Sequence, residues 1–135
     1  METKILFADI DGTLLNDQKE IPKENMTAIQ KALDCGHYVV VATGRPLDSA
    51  KAVAKDLGLM MPGCYLIAYN GAIVYDCGNE KVLKKESLPL AYVKELFERA
   101  KKAGLYIQTY KGNQIITTQD SPELEAYRNH TKLPY

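Results

Sequence analysis

Apolar positions fall into short, separate blocks along this chain of 135 residues. Lys4 to Ile10 (KILFADI) is a nearly continuous apolar run, which predicts a buried strand. Gly12 breaks the run, and a polar loop continues to Glu20. Pro22 stands where proline opens a helix. Met26, Ile29 and Leu33 then follow at helical spacing and predict a single apolar face, with Gly36 at the expected C-terminal cap. Tyr38 to Ala42 (YVVVA) is continuous and β-branched, the mark of a strand covered on both faces. Pro46 opens a second helix, Gly58 closes it, and Tyr65 to Tyr69 (YLIAY) predicts a third strand. Strand, helix, strand, helix, strand is the signature of an α/β unit with a parallel sheet under covering helices.

The period changes after Asn70-Gly71. Ala72 to Tyr75 and Val82 to Leu88 predict two strands around a turn at Asp76-Cys77-Gly78-Asn79. Val93, Leu96, Phe97 and Ala100 mark one face of a helix that ends at Gly104. Leu105 to Tyr110 and Gln114 to Thr118 predict a second hairpin around Lys111-Gly112-Asn113, and Ser121-Pro122-Glu123 starts another helix. Hairpins with one helix between them predict an α+β unit. The expected division is residues 1–81 and 82–135.

Composition changes this picture little. The apolar fraction is 46% and the charged fraction 25%, ordinary values for a globular chain. Formal net charge is zero, so a polyanion such as nucleic acid is not an expected partner. Lys81, Lys84 and Lys85 are broken up by apolar residues and read as a solvated strand edge. Cys35, Cys64 and Cys77 match no zinc or CxxC spacing and are expected to be buried or half-buried free thiols of a reducing compartment. The N-terminal residues do not read as a signal peptide, and no stretch approaches the ~20 apolar residues a membrane span needs. The expected location is cytoplasmic, away from membranes.

The chemistry concentrates in Phe7 to Leu14 (FADIDGTL). An Asp-x-Asp pair is commonly no more than a surface turn or a loop cap. Here the pair closes a predicted first strand, and ligands of parallel sheets bind at the carboxyl ends of the strands. Asp9 and Asp11 offer hard oxygen ligands that suit magnesium. One carboxylate can attack phosphorus and form an aspartyl phosphate. The other can protonate the leaving oxygen and then take a proton from water. A magnesium ion would offset the repulsion between an anionic nucleophile and an anionic phosphate. Gly12 lets the backbone turn sharply beside a ligand.

A second motif, Val41 to Pro46 (VATGRP), ends the second predicted strand. The Thr43 hydroxyl can donate to a phosphoryl oxygen or cap the following helix. Gly44 leaves its backbone N–H accessible, and that helix turns its positive end towards the same place. Arg45 either holds an anionic substrate group or pairs with an acid. Asn70, after the third strand, either orients the nucleophile loop and touches substrate or serves as a turn residue. Gly12, Thr13, Thr43, Gly44, Arg45 and Asn70 are the candidate phosphate-binding positions.

Taken together, DIDGTLL at 9–15, VATGRP at 41–46 and YNGAIVYD at 69–76 resemble the haloacid dehalogenase superfamily of phosphohydrolases, and more closely its Cof-like sugar-phosphatase branch. The resemblance implies part of a Rossmann-like, parallel-sheet α/β core followed by the start of an α+β cap domain that selects substrate. It implies Asp9 as nucleophile and magnesium ligand. It implies Asp11 as general acid/base, with its backbone carbonyl also on the metal, and Thr43 as phosphate binder. The family further uses a lysine and a Gly-Asp-x-x-Asn-Asp motif beyond the cap, and no such acidic motif occurs here. The chain therefore resembles the first half of the pattern. The expectation is a truncated chain, weak or inactive as an isolated catalyst and prone to self-association through exposed edges.

The expected reaction is hydrolysis of small phosphorylated metabolites of the sugar-phosphate type. A phosphomutase of the same superfamily shares the aspartyl-phosphate step, and residues of the first half do not separate the two. A non-catalytic phospho-acceptor module like a response-regulator receiver usually carries its acceptor on a middle strand. Here the candidate nucleophile lies on the first strand, and no acid ends YVVVA. Tyr106, Gln108 and Tyr110 alternate in the cap and read either as substrate contacts or as plain sheet packing.

Overall fold

The structure is a computed structural model and describes residues 2–131 and 134–135. It divides into two compact units, Met1–Glu86 and Ser87–Tyr135. The first unit runs β1 (Ile5–Ala8), α1 (Lys23–Asp34), β2 (Tyr38–Ala42), α2 (Leu47–Asp56), β3 (Cys64–Ala68), a 3-10 turn at Tyr69–Gly71, β4 (Ile73–Asp76) and β5 (Lys81–Lys85). The strands form one sheet in the order β1-β2-β3-β4-β5. The first three are parallel, with Ala8 opposite Val41 and Val41 opposite Leu66, and β4 and β5 continue antiparallel.

The continuous apolar run at β2 makes it a strand because both its faces are covered: Val39, Val40 and Val41 are all buried. Proline caps both helices of this unit, Pro22 before α1 and Pro46 before α2, where its fixed φ suits the entry and no N–H is needed. Ile29 of α1 and Ala50, Val53 and Ala54 of α2 enter the same core as Ile10, Leu14, Leu66 and Tyr75. Cys64 and Cys77 are free and buried within it, and burial, followed by the neighbouring Cys64, pushes the Cys77 thiol up to about 12.

Several expectations are corrected. The run expected to be buried in β1 is exposed: Ile5 at 56%, Leu6 at 44% and Phe7 at 60%. The reason is sheet order. β1 is an edge strand paired only with β2 among the described residues. The division falls at 86/87 rather than 81/82, because β5 continues the first unit's sheet and the Glu86 N–H still donates to the Ala72 carbonyl at 2.8 Å. Met26 stands exposed on α1, and Cys35 is exposed just past its end.

The second unit contains α3 (Leu90–Ala103), β6 (Gln108–Lys111), β7 (Gln114–Thr117) and α4 (Pro122–Thr131). β6 and β7 form the expected hairpin, and its small core is Ile115 and Leu124 with Tyr106, Tyr110 and Tyr127 around them. The apolar face expected for α3 is present, yet no residue of that helix is buried. A two-stranded sheet offers too little surface to cover it.

Candidate active site

In the loop after β1, Ile10, Leu14 and Leu15 are buried and anchor it to the core, while Asp9 before them and Gly12 and Thr13 between them are exposed. The backbone then winds tightly. Leu14 N–H donates to the Asp9 and Ile10 carbonyls, both at 3.1 Å, and Leu15 N–H donates to the Ile10 carbonyl at 2.9 Å. Gly12 turns through φ 79°, the left-handed region that glycine enters without steric cost. The Asn25 amide of α1 donates to the Leu14 carbonyl at 3.2 Å and clamps the loop from behind. The apolar anchors leave Asp9 in the open, just past the carboxyl end of β1.

The loop after β2 lies alongside. The parallel register of β1 and β2, continued by one residue, sets Asp9 across from Ala42, next to Thr43. Thr43 is buried, and its hydroxyl accepts the Arg45 N–H at 3.1 Å. That bond tightens the turn into α2 and is not a helix cap, since α2 is capped by Pro46 with no side-chain bond. The loop is tied to β3 and the turn after it by backbone bonds. Thr43 N–H donates to the Ile67 carbonyl at 2.8 Å, Asn70 N–H to the Thr43 carbonyl at 3.2 Å, and Tyr69 N–H to the Arg45 carbonyl at 3.0 Å.

Tyr69 and Asn70 both adopt positive φ, 51° and 55°, a sparsely populated conformation for side-chain-bearing residues that concentrates at functional sites. A Cβ on Gly44 would lie 2.8 Å from the Asn70 Oδ1, so only glycine admits this approach without moving that amide. Asn70 is therefore more than a turn residue. It joins the third strand's exit to the VATGRP loop.

In this structure Arg45 pairs with an acid. Its Nε donates to the Asp11 Oδ2 at 2.8 Å and its second terminal nitrogen to Oδ1 at 2.6 Å, a two-pronged pairing across 34 positions of sequence. The guanidinium is nearly buried, with 12% of its side chain exposed against 33% for Asp11. Lys19 adds an Nζ 3.3 Å from the same Oδ1. The residue patterns do not single out Lys19 or Asn25. Each is a polar residue in a polar stretch, and only the path of the chain brings them to the loop.

For a metal, the donors are the Asp9 carboxylate and the Asp11 backbone carbonyl, since both Asp11 carboxylate oxygens face Arg45. Hard oxygens of one or two carboxylates, completed by substrate and water, are the usual protein share of a magnesium shell, so the residues fit that ion. Among the described residues no group of three or more His, Cys, Asp or Glu could hold a metal. In the second unit, Tyr106 and Tyr110 pack against the small core, and with Gln108 they also form a hydrogen-bonded chain. The Tyr106 hydroxyl donates to Gln108 at 2.7 Å, the Gln108 amide to the Tyr110 hydroxyl at 3.0 Å, and Tyr110 to Tyr127 at 2.6 Å.

The family profile described as haloacid dehalogenase-like hydrolase matches residues 6–134. A Bacillus subtilis protein named as a 5-amino-6-(5-phospho-D-ribitylamino)uracil phosphatase is 38% identical over 101 residues, covering 73% of this chain and 36% of that protein. A haloacid dehalogenase-like hydrolase from Bacteroides thetaiotaomicron superposes with a TM-score of 0.83 at 28% identity, covering 98% of this chain and 50% of its own. A Thermotoga maritima protein superposes at 0.76 with 35% identity, covering 100% and 49%. The chain thus spans about half the length of the solved structures it matches.

Proposed function

Since the chain belongs to the haloacid dehalogenase-like hydrolases, we propose that it serves magnesium-dependent hydrolysis of small phosphomonoesters, of the sugar-phosphate type, through an aspartyl phosphate. The observation that carries this reading is the placement of Asp9, exposed just past β1, two residues before Asp11 and alongside the Thr43 loop. The Asp9 carboxylate attacks phosphorus, the bond from phosphorus to the ester oxygen breaks, and that oxygen leaves with a proton from Asp11. Water then attacks phosphorus, gives its proton to the Asp11 carboxylate, and frees Asp9 and inorganic phosphate. Thr43, with its hydroxyl oxygen already accepting from Arg45, keeps its own O–H to donate to a phosphoryl oxygen. Bound magnesium supplies charge neutralisation between Asp9 and the phosphoryl group.

A phosphorylated sugar or sugar alcohol as substrate is supported by the name of the Bacillus relative. In this reading the second unit starts a cap domain, and the buried free thiols Cys64 and Cys77 support a reducing compartment such as the cytoplasm.

The test is magnesium-dependent phosphate release from an aryl phosphate by this chain and by Asp9→Asn. Slow release that requires magnesium and disappears in Asp9→Asn is the expected result. Release that survives the substitution would assign the nucleophile elsewhere.

A further inference from the structure

Both carboxylate oxygens of Asp11 are engaged by Arg45, at 2.8 and 2.6 Å, and one of them also by Lys19. An acid/base group held in this way does not reach a leaving oxygen. The arrangement before substrate binds is therefore not the one that transfers a proton. What holds Asp11 is itself the ideal partner for the incoming group. A planar guanidinium presents the same two parallel donors to a phosphate as to a carboxylate, and phosphate brings more negative charge. The Arg45 backbone is held in place whichever anion the side chain faces. Its N–H is on Thr43, its carbonyl accepts from Tyr69, and Pro46 follows at the cap of α2. The side chain emerges next to Thr43, the residue best placed to receive a phosphoryl oxygen, with Ser49 one helical turn on and 3.4 Å from a terminal nitrogen.

We propose that Arg45 is a two-position residue that exchanges Asp11 for the phosphoryl group when an anionic substrate enters. Asp11 is then released only in a site that already holds phosphate. The exchange makes the carboxylate of Asp11 an internal competitor of the ligand for one guanidinium. Lys19, 53% exposed at its side chain, stays near Asp11 after the exchange and keeps a positive charge on it. This inference rests on reading Asp9 and Asp11 as a phosphoryl-transfer site.

Competition gives a signature that a purely structural ion pair lacks. Inorganic phosphate is titrated calorimetrically, in excess magnesium, into the wild-type chain, Asp11→Asn, Arg45→Gln and the double variant. Removing the competitor frees Arg45, so Asp11→Asn should bind phosphate ~10-fold more tightly, and Arg45→Gln should bind it more weakly. In the Arg45→Gln background the Asp11→Asn gain should shrink to ~3-fold or less, the residue of simple charge removal. In parallel, the Arg45 Nε–H resonance of the wild-type chain should shift on saturation with phosphate.

Phosphate binding with the same Asp11→Asn gain in both backgrounds, or an unmoved Nε–H resonance, overturns the exchange and leaves the phosphatase reading intact. No phosphate binding by any form overturns both. If circular dichroism shows Arg45→Gln unfolded, Arg45→Lys takes its place. It keeps the charge, loses the two-pronged geometry, and should likewise reduce the Asp11→Asn gain.

Discussion

At the residue scale, a side chain's partners decide what its chemistry can be. Asp11 and Asp76 show two ways of holding a carboxylate. Asp11 is gripped by cations from two other segments, Arg45 and Lys19. Asp76 is gripped locally by the turn it begins. Its Oδ1 accepts the Gly78 and Asn79 N–H groups at 2.9 and 3.0 Å, and its Oδ2 accepts the Asn79 amide at 2.9 Å. The Asn79 side chain, then its backbone N–H, lowers the Asp76 pKa from the usual carboxylate value. A depressed folded-state pKa means stability that is fully present above the unfolded value, near pH 4, and lost as pH falls through the lower folded value. Asp76→Asn lacks that titration. Its deficit in urea midpoint against wild type should be constant above about pH 5 and should shrink below about pH 4. A deficit that is flat down to acid pH would mean that these bonds do not favour the charged form.

At the element scale, the turn that Asp76 caps also explains why a glycine follows it. A Cβ on Gly78 would lie 2.6 Å from the Pro62 Cα and 2.7 Å from its nitrogen, backbone atoms that cannot swing aside as a side-chain tip can. The β4–β5 hairpin therefore packs backbone to backbone against the segment that leads into β3. Gly78→Ala should push the two apart and cost about 1–3 kcal/mol, read as a lower urea midpoint. An unchanged midpoint would show that the hairpin shifts without loss. The strands themselves were readable as local pattern, β2 from YVVVA and the β6–β7 hairpin from the turn at Lys111-Gly112-Asn113. The pattern misread β1, because a continuous apolar run predicts burial whether or not a second neighbour is there to supply it.

At the scale of the whole molecule, that edge has a consequence. Ile5, Leu6 and Phe7 are exposed beside unpaired backbone of β1, and an apolar open edge is a template for another strand. The chain should associate. Its mass by light scattering should rise with concentration, and Phe7→Lys, which sets a charge on the edge, should lower that rise. A monomer mass at every concentration would contradict this. The second unit gives the same expectation independently, since Leu90, Tyr92 and Leu96 of α3 are all exposed.

Local sequence determined the elements and the candidate chemistry. DIDGTLL names the two carboxylates and the glycine of the loop, a β-branched run makes β2, and prolines and glycines mark where helices begin and end. These follow from contacts within a few residues, so a pattern of that length contains them. What the tertiary structure decided is which distant groups meet. Arg45 took Asp11 across 34 positions, Lys19 arrived from a polar loop, Asn70 closed on Gly44, and β1 became an edge. Each depends on strand order and register, and a run of apolar residues has the same appearance in the middle of a sheet as at its border.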